Sequence, residues 1–283
     1  FKAQNMSNNA RVVPLAVHGS ASALEGGCGE IGSAQYFQAL AARAMPHVDM
    51  NPVLLKPERD TASQVVVQGR VDAALSRMPW RERSARLATA ARESFERLAD
   101  RHQVLVIEGA GSPAEINLAP QDYVNLGTAR WAREIACLRA LLVVDIDRGG
   151  AFAHLHGTWA LLPDDLRGSL AGFVLNKFRG DATLLAPGPE QLQALTGVPL
   201  LGVLPMHRDH GLPEEDGLYG PPTGGVSEGP RVAIVAWPHL SNLDEFQPLA
   251  AVASVRWVRT ASELDGADWI VLPGSKQVSG DLA

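Results

Sequence analysis

The 283-residue chain is 46% hydrophobic and 20% charged, the composition of one large or two ordinary folded domains. A formal net charge of -6 gives no support to binding of nucleic acid or an anionic membrane, which needs a dense basic face, and leaves room for a local basic pocket for an anionic ligand. Apolar runs of about 4–8 residues fall far short of the ~20 that span a bilayer, and two cysteines without CxxC spacing, Cys28 and Cys137, fit a reducing cytoplasm rather than a disulfide framework.

The opening run FKAQNMSNN packs Lys2, Gln4, Asn5, Ser7, Asn8 and Asn9 into nine residues. Those side chains either present donors to phosphate or carboxylate oxygens or form a plain polar loop. Gly29-Glu30-Ile31-Gly32 and Gln35 follow, as a continuation of the same pocket or as a turn leading into a helix. Cys28 sits in this glycine-rich stretch without an identifiable activating base, so an incidental small residue is the simpler reading than a nucleophile. Over 81–102 the apolar residues Leu87, Ala91, Phe95 and Leu98 recur at helical spacing and predict one buried stripe.

Beyond that helix, 104–107, 141–146, 173–175 and 200–204 are rich in Val, Ile and Leu without strict alternation, as in strands covered on both faces. Their alternation with helix-like stretches gives an α/β class with a mostly parallel sheet, whose ligands sit at the carboxyl ends of strands. Three such ends carry candidate chemistry. In EGAGS, Glu108 is a candidate Mg²⁺ ligand and Gly109 and Gly111 allow close backbone approach to an anion; a tight turn with a solvated glutamate is the alternative. In DIDRGG, Asp147 and Arg148 either hold substrate or form an ion pair at a loop edge. Asn176 and Lys177 end the next strand, where an asparagine amide can read an adenine edge. Cys137 is expected to pack inside, and the histidines lack zinc-ligand grouping with cysteines or carboxylates.

A composition shift at 213–230 reads as a linker. The strand-like stretches 232–236, 255–258 and 269–272 then begin a second unit, and both chain ends read as cut.

In this order, FKAQNMSNN, GEIGSAQ, VDMNPVLLKP, SQVVVQG, EGAGSPAEINL, DIDRGG, GFVLNKFRGD, GVLP and LPEED make the chain similar to the cobyric acid synthase family along nearly its whole length. The resemblance implies a dethiobiotin-synthetase-like P-loop fold over 1–212, a linker over 213–230, and the start of a class I glutamine amidotransferase domain over 231–283. It further implies amidation of peripheral carboxylates of adenosylcobyrinic acid a,c-diamide, with ATP, Mg²⁺ and glutamine as nitrogen donor. On that basis Glu108 matches the metal-binding carboxylate, Gly109 and Gly111 lie beside the γ-phosphate, and Lys2, Gln4 and Asn5 face the phosphate or the activated carboxylate. Asp147 and Arg148 hold substrate, Asn176 and Lys177 contact the nucleotide, and Gly274 and Ser275 flank an oxyanion-hole N–H in LPGSK.

Four departures stand against the pattern. Residues 10–28 are longer and more irregular than expected between NMSNN and GEIG, and Asn125-Leu126-Gly127 has Leu in place of Met, a change close in volume. Two motifs are missing as well. The chain contains no G-x-x-x-x-G-K-[ST] and no glycine-flanked cysteine after LPGSK. The polypeptide by itself is therefore expected to be inactive. Alternatives are cobyrinic acid a,c-diamide synthase, which amidates other carboxylates, and a partitioning-type nucleotide-switched ATPase.

Overall fold

The computed structural model describes residues 1–15, 27–59, 61–207, 229–237, 240, 243–275 and 281. In chain order these carry β1 (Gln4–Met6), β2 (Ala10–Pro14), β3 (Cys28–Gly32), α1 (Ser33–Ala41), β4 (Val53–Arg59), β5 (Ala62–Val67), β6 (Arg70–Val71), α2 (Ala73–Arg77), α3 (Trp80–Ala99) and α4 (Thr128–Ile135). There follow β7 (Ala140–Asp145), α5 (Ala151–Leu161), α6 (Asp164–Arg167), β8 (Leu170–Phe178), α7 (Gly188–Thr196) and β9 (Leu200–Pro205). The last elements are β10 (Arg231–Val235), α8 (Gln247–Ala250), β11 (Ser254–Val258) and β12 (Trp269–Val271). Most of the expected linker, 213–228, lies outside the described residues, as do Lys276 of LPGSK and the LPEED segment.

The first sheet has the order β1-β4-β5-β6, with β1 parallel to β4 and the other pairs antiparallel. Its apolar face is closed by α3, whose stripe Leu87, Ala91, Phe95 and Leu98 is buried as its spacing predicts. Leu87 and Ala91 share a core with Val53, Leu55 and Val65. Each such large side chain contributes about 1.5–3 kcal/mol by leaving water. The Phe95 ring sits 5.5 Å from that of Phe1, so the same helix holds down the start of the chain. At its other flank Arg97 donates to Asp49, a fully buried carboxylate, at 2.5 Å and ties α3 to the turn Val48–Met50.

β2 and β3 form a separate antiparallel hairpin. It meets the first sheet where Gly29 and Gly69 touch backbone to backbone: a Cβ on Gly29 would lie 2.9 Å from the Cα of Gly69, and one on Gly69 2.8 Å from the Cα of Gly29. Gly69 also has φ +77°, a conformation glycine adopts without strain.

β7, β8 and β9 make a parallel sheet with α5 and α7 on one face. Leu155, Phe173, Leu175, Leu192 and Val198 fill the space between. The other face departs from expectation, because Leu141, Val143 and Leu201 are each more than half exposed. Among the described residues these strands are covered on one face only. Residues 104–107, expected as a buried strand, form none, and Val104 and Val106 are exposed. Among the described residues the segment is paired only at Phe1, whose amine donates to Val106 O at 2.8 Å and whose carbonyl accepts from Glu108 N–H at 2.9 Å, too little for a ladder. Cys137 lies exposed just past the end of α4 instead of packing inside. The final unit is the parallel sheet β11-β10-β12 over its own cluster of Val232, Ile234 and Ala253. Among the described residues no helix is long and apolar enough to cross a membrane.

Candidate functional site

Lys2 and Glu108 meet because β1 runs into the first sheet beside β4 while the EGAGS loop passes the start of the chain. The backbone at Lys2 is fixed twice: its N–H donates to Met50 O at 2.9 Å, and its carbonyl accepts from Asn51 Nδ2 at 3.2 Å. Asn51, itself buried, also accepts the Gly32 N–H at 3.0 Å and so fastens the hairpin to the strand. From this frame the buried Lys2 ammonium reaches Glu108 Oε1 at 3.1 Å.

The other carboxylate oxygen faces α1. Gln38 Nε2 donates to Glu108 Oε2 at 2.7 Å, and Gln35 Nε2 lies at 3.5 Å from the same atom. Gln35 in turn accepts from Asn5 Nδ2 at 3.0 Å. Gln4 accepts from the Tyr123 hydroxyl at 2.6 Å. Burial pushes that phenol strongly upward, so Tyr123 stays protonated and remains a donor. Lys2, Asn5 and Glu108 therefore form one network with Gln35, and Gln4 is held at its edge.

The EGAGS loop is clamped by a π-helical turn, Tyr123–Gly127. Asn125 Oδ1 accepts the Ala110 N–H at 3.1 Å and Asn125 Nδ2 donates to Ala110 O at 2.9 Å. Gly109 is required by this clamp, since a Cβ there would run into Asn125 Oδ1. Gly111 is required for another reason, its φ of +67° in open space. The N–H between the two glycines is already committed to Asn125, which leaves those of Gly109 and Gly111 as the loop's candidates for an anion.

A second cluster forms at the carboxyl ends of β7 and β8. Lys177 Nζ lies 3.0 Å from Asp145 Oδ2, and the Asp147 N–H donates to Asp145 Oδ1 at 2.9 Å. The hydrogen bond from Lys177, followed by that from the Asp147 N–H, holds the Asp145 carboxyl below its ordinary range. Arg179 pairs with Asp147. Arg148 is exposed beside them, so the cation expected to partner the acids of DIDRGG comes instead from the neighbouring strand. Lys177 holds φ +58°, unusual for a residue with a side chain, at a register shift between β8 and β9. Asn176 lies opposite Asp145 in the ladder. The residues read together from the sequence thus fall into two clusters among the described residues, one around Glu108 and one around Asp145.

Gly274 and Ser275 line a third place, a cavity of about 300 Å³ between the hairpin and the last unit, with Asn8, Glu30 and Lys56 in its wall. Arg11 spans the same junction to Glu245 at 2.9 Å. The indole of Trp237 donates to Pro273 O at 3.0 Å and supports the loop from behind.

Gln38, Asn51, Tyr123, Asn125 and Arg179 carry these clusters without having been singled out in the sequence. Gln35 and Gln38 had a usable signal, since residues three apart share a helix face.

A cobyric acid synthase of Methylibium petroleiphilum is 64% identical over the whole chain, and those of Variovorax paradoxus and Leptothrix cholodnii are 62% and 61% identical over the same extent. The chain belongs to the cobyric acid synthase family. It spans about half the length of the curated family members it matches, 55%, 56% and 55% of these three. No family model matches the chain, and no solved structure does. The mixed α/β architecture with parallel sheets agrees with the fold class read from the sequence.

The donor set at Glu108 fits a magnesium site of the substrate-completed kind. Mg²⁺ is commonly held by one or two carboxylates, with waters and phosphate oxygens filling the remaining positions. Glu108 is one such carboxylate, its side chain 43% exposed. Among the described residues no group of three His, Cys, Asp or Glu side chains forms an all-protein metal cage.

Proposed function

We propose that this chain is the ATP-using synthetase part of an enzyme that amidates peripheral carboxylates of a corrinoid acid, adenosylcobyrinic acid a,c-diamide, with glutamine as nitrogen donor. On this reading residues 1–212 are a synthetase domain of the dethiobiotin-synthetase-like P-loop type and 231–283 begin a class I glutamine amidotransferase domain. The observation that carries it is the Lys2–Glu108 pair, a buried cation against an accessible carboxylate beside a glycine loop.

Amidation of a carboxylate needs an activated acyl group. A substrate carboxylate oxygen attacks the γ-phosphorus of ATP, ADP departs, and ammonia then displaces phosphate at the acyl carbon. Each amide consumes one ATP and one glutamine. Such phosphoryl transfer depends on alignment and on neutralising charge. Lys2 supplies a fixed positive charge that cannot retreat into solvent, while Asn5, Gln35 and Gln38 orient Glu108 and offer amide donors to oxygens arriving there. Glu108 would hold Mg²⁺, which when bound neutralises triphosphate charge. Gly109 and Gly111 let the backbone approach the phosphate chain. Asn176 and Lys177 are assigned to the nucleotide, Asp147 and Arg148 to substrate, and Gly274 and Ser275 to an oxyanion-hole donor in the glutaminase reaction.

The deciding experiment incubates the full-length protein containing this segment with ATP, Mg²⁺, glutamine and adenosylcobyrinic acid a,c-diamide. Mass spectrometry counts the amides and a coupled assay counts ADP. One ADP per amide is the expected result. Amidation of cobyrinic acid in its place would transfer the chain to the a,c-diamide synthases, and ATP turnover without any amide would remove the reading.

A further inference from the structure

Lys56 stands in the middle of β4, flanked by β1 and β5, and its side chain is only 10% exposed. Its ammonium opens on the cavity that Gly274 and Ser275 line from the other side, where it pairs with the Glu30 carboxylate. The two partners are not equally fixed. Lys56 belongs to a strand interior, whereas Glu30 lies on the hairpin with its side chain about a quarter exposed. Water can solvate Glu30 freely if it is released; Lys56, 10% exposed, meets only what enters the cavity, and a buried cation without a counter-charge is costly.

We infer that Lys56 is a substrate-positioning residue that takes one carboxylate arm of the substrate, with Glu30 occupying the place of that arm beforehand. The inference rests on the proposed function and deepens it. The cavity admits a side arm but not a macrocycle. The backbone from Lys2 to Ser7 runs along β4, with Ser7 N–H bonded to Leu55 O beside Lys56. Five residues of chain, bent at Ala3 and extended from Gln4 to Met6, therefore separate Lys2 from Lys56 by up to about 16 Å. A small acid reaches only one of the two cations. A large ring with carboxylates around its rim spans both, so one arm is anchored at Lys56 while another lies at the Lys2 end.

The test is a titration of the intact chain, labelled with ¹⁵N-lysine, with propionate as a model arm and propionamide as its neutral counterpart. The Lys56 ammonium resonance is assigned with Lys56→Arg. Propionate is expected to shift that resonance saturably and propionamide to leave it in place. Glu30→Gln, which removes the competing carboxylate, should tighten propionate binding roughly tenfold. A Lys56 resonance unmoved by propionate in both the wild type and Glu30→Gln overturns the assignment. The titration requires neither ATP nor turnover, so its outcome is separate from that of the amidation assay. In the full-length protein Lys56→Met should raise KM for the corrinoid acid while leaving KM for ATP unchanged; equal effects on both would also count against the role.

Discussion

The Lys2 ammonium and the Glu108 carboxylate, 106 positions apart in sequence, lie within 3.1 Å of each other. Glu108→Gln keeps a carbonyl acceptor for Lys2 and removes the charge. Amidation by the full-length protein should fall by about 10²-fold or more, as for the loss of a group acting on transition-state charge. Denaturant unfolding of the chain should lose no more than about 1–2 kcal/mol, because the retained carbonyl still accepts from the buried Lys2 and Glu108 itself is nearly half exposed. A large stability loss with activity intact would reduce the pair to a structural tie.

Asn125 and Gly109 should prove coupled. Gly109→Ala drives a methyl into Asn125 Oδ1, and Asn125→Ala leaves both polar groups of Ala110 without that partner. Each single change is expected to cost about 1–3 kcal/mol. The double variant should cost clearly less than their sum, since the second change removes the first one's obstacle. Additive losses in a thermal-unfolding cycle would contradict the clamp.

Arg97→Met leaves the fully buried Asp49 without its cation. Loss of one partner of a buried pair costs about 3–5 kcal/mol, and urea unfolding should register it. Adding Asp49→Asn to Arg97→Met should return part of that loss.

His47 gives the fold a pH dependence. Burial, ahead of the attraction of Asp49, lowers its affinity for protons below the ordinary value, and its Nδ1 accepts the Asp49 N–H at 3.3 Å. The unfolded chain then binds the proton more readily than the folded one. The His47 contribution is complete above the unfolded value of about 6.5 and declines as pH falls from there toward the lower folded value. Stability measured between pH 7.5 and 5 should decrease with acid in the wild type and do so less steeply in His47→Gln.

Lys177 offers the opposite balance. Its left-handed backbone is strained for any residue but glycine, and its ion pair with Asp145 is half exposed on the lysine side. Lys177→Gly should leave the chain as stable or up to about 1 kcal/mol more stable. If KM for ATP rises in the full-length protein carrying this change, the strain is retained for ligand binding.

Legibility in the sequence followed the range of the interactions involved. The α3 stripe was readable because Leu87, Ala91, Phe95 and Leu98 share one helix face, and β10, β11 and β12 because their apolar runs are short and bounded. Lys2, Asn5 and Glu108 were found through their motifs. Gln38, Asn51 and Tyr123 were not, since each is an ordinary polar residue whose function comes from partners far along the chain. The exposed faces of β7 and β9 also escaped, because a run of Val and Leu has the same composition whether one side or both are covered. Arg179 was overlooked because Arg148 lay closer in sequence to the same acids.

The contact between Gly29 and Gly69 has a bearing on recombination. Two backbones that touch without side chains permit no compensating exchange of volume, so the hairpin and the β5–β6 turn must be inherited as a matched set. Chimeras of two family members that cross over between these glycines should be poorly expressed wherever the parents differ in local backbone path, while crossovers beyond Gly69 avoid that mismatch.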